Sequence, residues 1–146
     1  MLYVWIAWAL AAPEIVVLGI AQDAGHPQAG CSKTCCTAAW GDPARRHHVA
    51  SLGIRDGDQT WIIDATPSFP DQLHALSPDG SLDGILLTHG HMGHYTGLLH
   101  LGREVMGAPD IPVYAMPRLA GMLGGSEPWA LLTRLDHMDV RVASAD

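Results

Sequence analysis

Residues 84–88, GILLT, constrain this chain more than any other segment. An unbroken apolar run of that length is too short for a helix and suits a central strand covered on both faces. Directly after it the sequence reads HGHMGHYTGLL, so the strand delivers His89, His91 and His94 at its carboxyl end. Residues i and i+2 of an extended segment point the same way, and a turn through Gly90 and Gly93 can return i+5 beside them. An isolated histidine is usually structural, but three within six residues between glycines point to a ligand set. At a sheet's carboxyl edge such a trio would hold a divalent ion with an open position, which lowers the pKa of bound water enough to make a nucleophile near neutral pH.

The rest of the chain falls into short elements around this strand. Residues 14–20, EIVVLGI, form a β-branched run between Pro13 and a turn-rich loop, and read as a buried strand. Residues 48–55 and 60–64 are extended runs separated by Asp56-Gly57-Asp58, a hairpin signal. Thr66-Pro67-Ser68 opens a helix over 70–76, which Ser77-Pro78-Asp79-Gly80 stops. Apolar spacing predicts a helix over 95–106 despite Gly97 and Gly102, with Gly107 as its cap. A strand over 111–115, helices over 117–123 and 128–135, and a strand over 140–142 complete the order. Strands that pass into strand–helix alternation imply a mixed α-β (α+β) architecture with helices packed on a mixed sheet.

Composition removes several classes of function. The 146 residues suffice for one core without a disulfide framework, and 48% hydrophobic against 16% charged residues is a globular balance. A formal charge of −7, with no basic cluster beyond Arg45-Arg46, lacks the electrostatic footprint of a nucleic-acid binder. The apolar leader at residues 1–13 falls short of the roughly 20 residues a membrane-spanning helix needs. It fits the core of an export signal with Ala9-Leu10-Ala11 as a cleavage site, yet lacks a preceding base, so periplasmic and cytoplasmic locations both stay open.

Cys31, Cys35 and Cys36 cannot readily form a disulfide framework, because an adjacent pair is poorly placed to bridge with itself. In the loop-like GCSKTCC they either face one structural zinc, with a fourth ligand from elsewhere, or remain free thiols. Of the other histidines, His26 could approach the edge of the site from its loop. His100 belongs to the packing or solvent face of its helix, and His47, His48, His74 and His137 read as ordinary surface or hydrogen-bonded residues.

THGHMGH resembles the HxHxDH signature of the metallo-β-lactamase superfamily, αββα-sandwich hydrolases that bind one or two zinc or iron ions. The resemblance implies that Asp64, ending WIID, sits near the metal and orients a histidine. A more specific likeness, carried by LGIAQDAGHPQAGC, ARRHHVASL, WIIDATPSFPDQL, GILLTHGHMGHYTGLLHLGRE and IPVYAMP in order, is to the pyrroloquinoline quinone biosynthesis B family. There the cysteine cluster holds a structural zinc. Gly93 stands where the superfamily signature has an Asp that helps hold a second metal, so one metal is the expectation. The quinone-pathway family carries acidic or amide residues at the positions of His89 and His91, so the substrate does not transfer from either group.

The resemblance covers the N-terminal half of an αββα sandwich, so residues 14–146 are expected to be a partial domain of a longer protein. Half a sandwich would expose one apolar sheet face, which either the missing half or a homodimer partner would cover. Three functional readings follow. The first is a hydrolase attacking an ester, amide or phosphoester of a small molecule with a zinc- or iron-bound hydroxide. The second is a quinone-pathway oxygenase or accessory protein with iron, and the third a non-catalytic structural zinc fragment.

Overall fold

The computed structural model describes residues 12–144, so all but residue 12 and Pro13 of the apolar leader lies outside the described residues. Six strands form one sheet in chain order: β1 (Glu14–Gly19), β2 (Ser51–Asp56), β3 (Gln59–Ile63), β4 (Gly84–Leu86), β5 (Ile111–Ala115) and β6 (Met138–Val142). The pairs β1–β2 and β2–β3 are antiparallel, while β3–β4, β4–β5 and β5–β6 are parallel. Two reversals restore the direction of β1, so the carboxyl ends of β1, β3, β4, β5 and β6 share one edge. The β2–β3 hairpin closes through Gly57, whose φ of 59° is the left-handed conformation that a tight turn requires.

The helices are α1 (Thr34–Gly41), α2 (Phe69–Leu76), α3 (Met92–Tyr95), α4 (Pro117–Gly125) and α5 (Trp129–Arg134). Phe69, Leu73 and Leu76 of α2, Leu119 and Leu123 of α4, and Leu132 of α5 pack with Ile62, Ile85, Val113 and Met138 on one sheet face. Each fully buried side chain of this size contributes roughly 1.5–3 kcal/mol. On the other face the in-register set Ile15, Val17, Leu52, Ile54, Trp61, Ile63, Leu86 and Tyr114 stays half-buried or exposed. This is a mixed α/β fold, one sheet with helices packed on a single face, as the sequence implies.

Two segments differ from the sequence reading. Residues 34–41 form a helix where loop-like turns are expected, because α1 has no apolar stripe and is held from outside. Arg46 donates to the Ala39 and Trp40 carbonyls at its end, and Trp40 Nε1 donates to Cys31 O at 3.1 Å. The helix expected over 95–106 is instead α3 followed by a 3-10 turn, Thr96–Leu101. Gly97 lies against the Ala65–Thr66 backbone, donating to Ala65 O at 2.9 Å. A Cβ there would collide with Thr66 O and stand 2.8 Å from Phe69 Cβ. This tertiary contact overrides the helical spacing.

Candidate metal centre

Four loops reach the shared carboxyl edge, following β1, β3, β4 and β5. The loop after β1 carries Asp23, the end of β3 carries Asp64, the segment after β4 carries Thr88 to His94, and Met116 and Arg118 follow β5. Asp64 adopts a φ of 67°, a left-handed conformation that Asp tolerates better than most residues, and this turns its 5% exposed side chain under the histidines.

The Asp64 carboxylate is the hub of the cluster. It accepts from Thr88 N at 2.8 Å, from Thr88 Oγ1 at 2.8 Å and from His94 Nδ1 at 2.8 Å. Because the Thr88 hydroxyl proton is committed to Asp64, the 2.9 Å contact between Thr88 Oγ1 and His89 Nδ1 requires His89 to be the donor. Its proton is therefore on Nδ1, and Nε2 presents a lone pair, the form in which imidazole ligates metals. That nitrogen lies 3.1 Å from His91 Nδ1.

His94 sits between two carboxylates. Its Nδ1 donates to Asp64 and its Nε2 donates to Asp23 Oδ1 at 3.1 Å, while Asp23 Oδ2 lies 3.5 Å from His91 Nδ1. Burial of the ring, its side chain 12% exposed, works against the charged form. The hydrogen bonds and charges of Asp64 and Asp23 outweigh it and hold His94 above its ordinary pKa. The same His94 contact holds the Asp23 carboxyl below its usual range. The rings of His91 and His94 flank that of His89, with centroids 4.7 and 4.0 Å away.

The cysteines form a second cluster. Cys35 and Cys36 lie in the first turn of α1, a correction to their expected loop setting, and Cys31 approaches from the preceding turn. Among the described residues, Cys31, Cys35 and Cys36 are the one group of three His, Cys, Asp or Glu side chains whose donor atoms all lie within 4.8 Å of one another. These three could hold a metal ion. The Cys36 thiol hydrogen-bonds Cys31 and lowers the Cys31 pKa, while the same contact raises Cys36. His26 belongs to this end of the molecule rather than to the histidine site. Its Nε2 lies 2.6 Å from Cys35 O and its ring stacks on His47. His100 stacks on Phe69, and His137 contacts Ala108 O, both away from the cluster.

Sequence reasoning passed over Asp23 and Thr88. The signal for Asp23 was strand parity, since a chain that reverses twice returns the end of β1 to the edge that holds the histidines. Beside the cluster, Thr88, His89, Gly90, Met116, Arg118, Leu119 and Met122 line a groove of about 560 Å³.

A family model described as "Beta-lactamase superfamily domain" matches residues 60–143. The chain is 35% identical over 121 residues to coenzyme PQQ synthesis protein B of Xanthomonas euvesicatoria pv. vesicatoria (strain 85-10), a match spanning 75% of this chain and 39% of that protein. The namesake protein of Methylobacterium sp. (strain 4-46) is 34% identical over 99 residues, 60% of this chain and 33% of its own. The chain thus spans well under half the length of these relatives. Among solved structures, zinc-bound PqqB from Methylobacterium extorquens superposes with a TM-score of 0.75 at 23% identity, covering 89% of this chain and 46% of that one. A diphosphatase from the PhnP family gives 0.69 at 24% identity, covering 92% and 51%. These two likenesses establish the fold.

Proposed function

Because this chain belongs to the family of beta-lactamase superfamily domains, whose model takes in residues 60–143, we propose that it supplies the metal-binding half of a metal-dependent hydrolase. The substrate class is a small-molecule ester, amide or phosphoester. The observation that carries this reading is the chain Asp64–Thr88–His89, which leaves His89 Nε2 unprotonated and facing His91. His89, His91 and His94 would hold zinc or iron, a donor set of borderline nitrogens that suits either. Such an ion, when bound, supplies a Lewis acid that lowers the pKa of a coordinated water toward neutrality. Asp64 fixes the orientation of His94 and, through Thr88, the tautomer of His89.

The groove beside His89 is where a substrate would lie. Arg118, on its wall, is the one arginine among the described residues with no hydrogen-bond or ion-pair partner, whereas the other six hold a carboxylate or a backbone carbonyl. On a chain of net charge −7, an unpaired guanidinium in that position favours a substrate carrying negative charge, and so a phosphoester among the three classes. The similarity to coenzyme PQQ synthesis protein B favours a second reading, an oxygenase or accessory protein of that pathway using iron. The compact cysteine group would hold a structural zinc in either case, and it alone would remain functional if the chain were a non-catalytic zinc fragment.

Elemental analysis of the purified protein tests these readings. The pair His89→Ala plus His91→Ala is expected to remove a metal that Cys31→Ala plus Cys35→Ala leaves in place, and turnover of activated phosphoesters should persist without oxygen. Metal content that responds to the cysteine pair alone would defeat the catalytic reading. Iron with oxygen-dependent chemistry would favour the second.

A further inference from the structure

We infer that the groove beside His89 selects an aryl phosphoester, with Arg118 gripping the phosphoryl oxygens and the ring lying against Met116 and Met122. The inference rests on the hydrolase reading of that site and narrows its substrate class. About 560 Å³ lies open between the segment after β4 and the first turns of α4, within the size range of small-molecule sites. Leu119, 8% exposed, pins α4 to the core. Its Cδ1 lies 3.6 Å from where a Cβ on Gly90 would stand, so the helix runs directly beside the histidine segment.

The choice follows from what the groove offers and what it lacks. Among its lining side chains only Arg118 carries a permanent charge, and no Asp or Glu lines it. The ion pairs among the described residues leave Arg118 without a carboxylate, so its planar fork of donors is free for two oxygens of one phosphoryl group. The other side chains do not serve a hydroxylated group. The Thr88 hydroxyl already engages Asp64 and His89, Gly90 has no side chain, and Met116, Leu119 and Met122 present only alkyl and thioether surface. The hydroxyls of a sugar lying against that wall would give up bonds to water without replacement, whereas an aromatic ring gives up none. Met116 is 48% exposed and Met122 partly so, and a ring laid on them removes apolar surface from water. Two polarizable thioethers favour an aromatic ring over a saturated one.

Equilibrium binding to the full chain, read by isothermal titration calorimetry, tests this without turnover. Benzylphosphonate, the methylene isostere of phenyl phosphate, is expected to bind at least about tenfold more tightly than methylphosphonate, which lacks the ring. It should exceed ribose 5-phosphate by a similar factor and also bind more tightly than its saturated counterpart, cyclohexylmethylphosphonate. Arg118→Gln should weaken benzylphosphonate at least about tenfold and Met122→Ser at least about threefold, both with unchanged far-ultraviolet circular dichroism. The inference is overturned if benzylphosphonate fails to bind, if methylphosphonate, ribose 5-phosphate or the saturated ring binds as well, or if Arg118→Gln keeps the parent affinity. Metal content of the parent and of His89→Ala plus His91→Ala is recorded alongside. Selective benzylphosphonate binding with no metal sensitive to that pair would defeat the hydrolase reading and leave the preference of the groove standing. A sensitive metal without the selectivity would defeat the inference alone.

Discussion

Asp64 combines three costs in one residue: burial of a carboxylate, a left-handed backbone and the loss of side-chain freedom. Three donors converge on it in return, and the arrangement is stable because each donor is itself fixed by the β4 end or by α3. Asp79 shows the same chemistry without a functional partner. Ser77 Oγ, Ser81 N and Ser81 Oγ all donate to it and pull its pKa from the ordinary 3.8 to about 2. A carboxyl depressed in the folded state stabilises above its unfolded pKa, and that contribution is lost as pH falls through the folded value. The Tm difference between parent and Asp79→Asn is therefore expected to hold steady above about pH 5, shrink between about pH 4 and 2, and vanish below that. A difference that persists unchanged at pH 2 would show that the turn does not depend on the charge.

Among the elements, the segment that follows β4 is the most tightly constrained. Gly97 allows the 3-10 turn to sit on the Ala65–Thr66 backbone, which fixes the distance from the end of β3 to His94. Gly97→Ala is expected to lower unfolding stability by roughly 1–3 kcal/mol, read by urea denaturation. A loss below about 0.5 kcal/mol, the range of ordinary surface changes, would mean that the turn can move off without cost. This contact also marks where the sequence stopped being legible. Strands with local signatures, such as EIVVLGI and the Asp-Gly hairpin, are readable because burial and turn chemistry act on neighbouring residues. Likewise His89, His91 and His94 stand out by their spacing at a strand end, whereas Asp64 is singled out through the family resemblance. The break in the helix at Gly97 and the arrival of Asp23 depend on residues tens of positions away. No window of the sequence contains them.

At the scale of the whole molecule, the sheet is asymmetric. One face carries the core, and the other presents Ile15 at 58% and Val17 at 64% exposure beside a continuous band of Leu52, Ile54, Trp61 and Ile63. An apolar surface of that kind lowers its free energy by association. The isolated chain is expected to self-associate with rising concentration in sedimentation velocity, and Val17→Lys should shift it toward the monomer without changing its far-ultraviolet circular dichroism. A parent that stays monomeric across the accessible range would show that the band is not adhesive. No helix among the described residues is long and apolar enough to cross a membrane.

The common carboxyl edge has one more implication. Asp23, Asp64, His89, His91 and His94 all lie past the last paired residue of their strands, and of the five only Asp64 still gives the sheet a backbone hydrogen bond, from its N–H to Leu86 O at 2.8 Å. Substitution of these side chains can therefore change the donor set at the edge while the pairing of the strands is kept. Lineages built on this scaffold are free to explore new chemistries through small steps, each of which leaves a foldable protein behind.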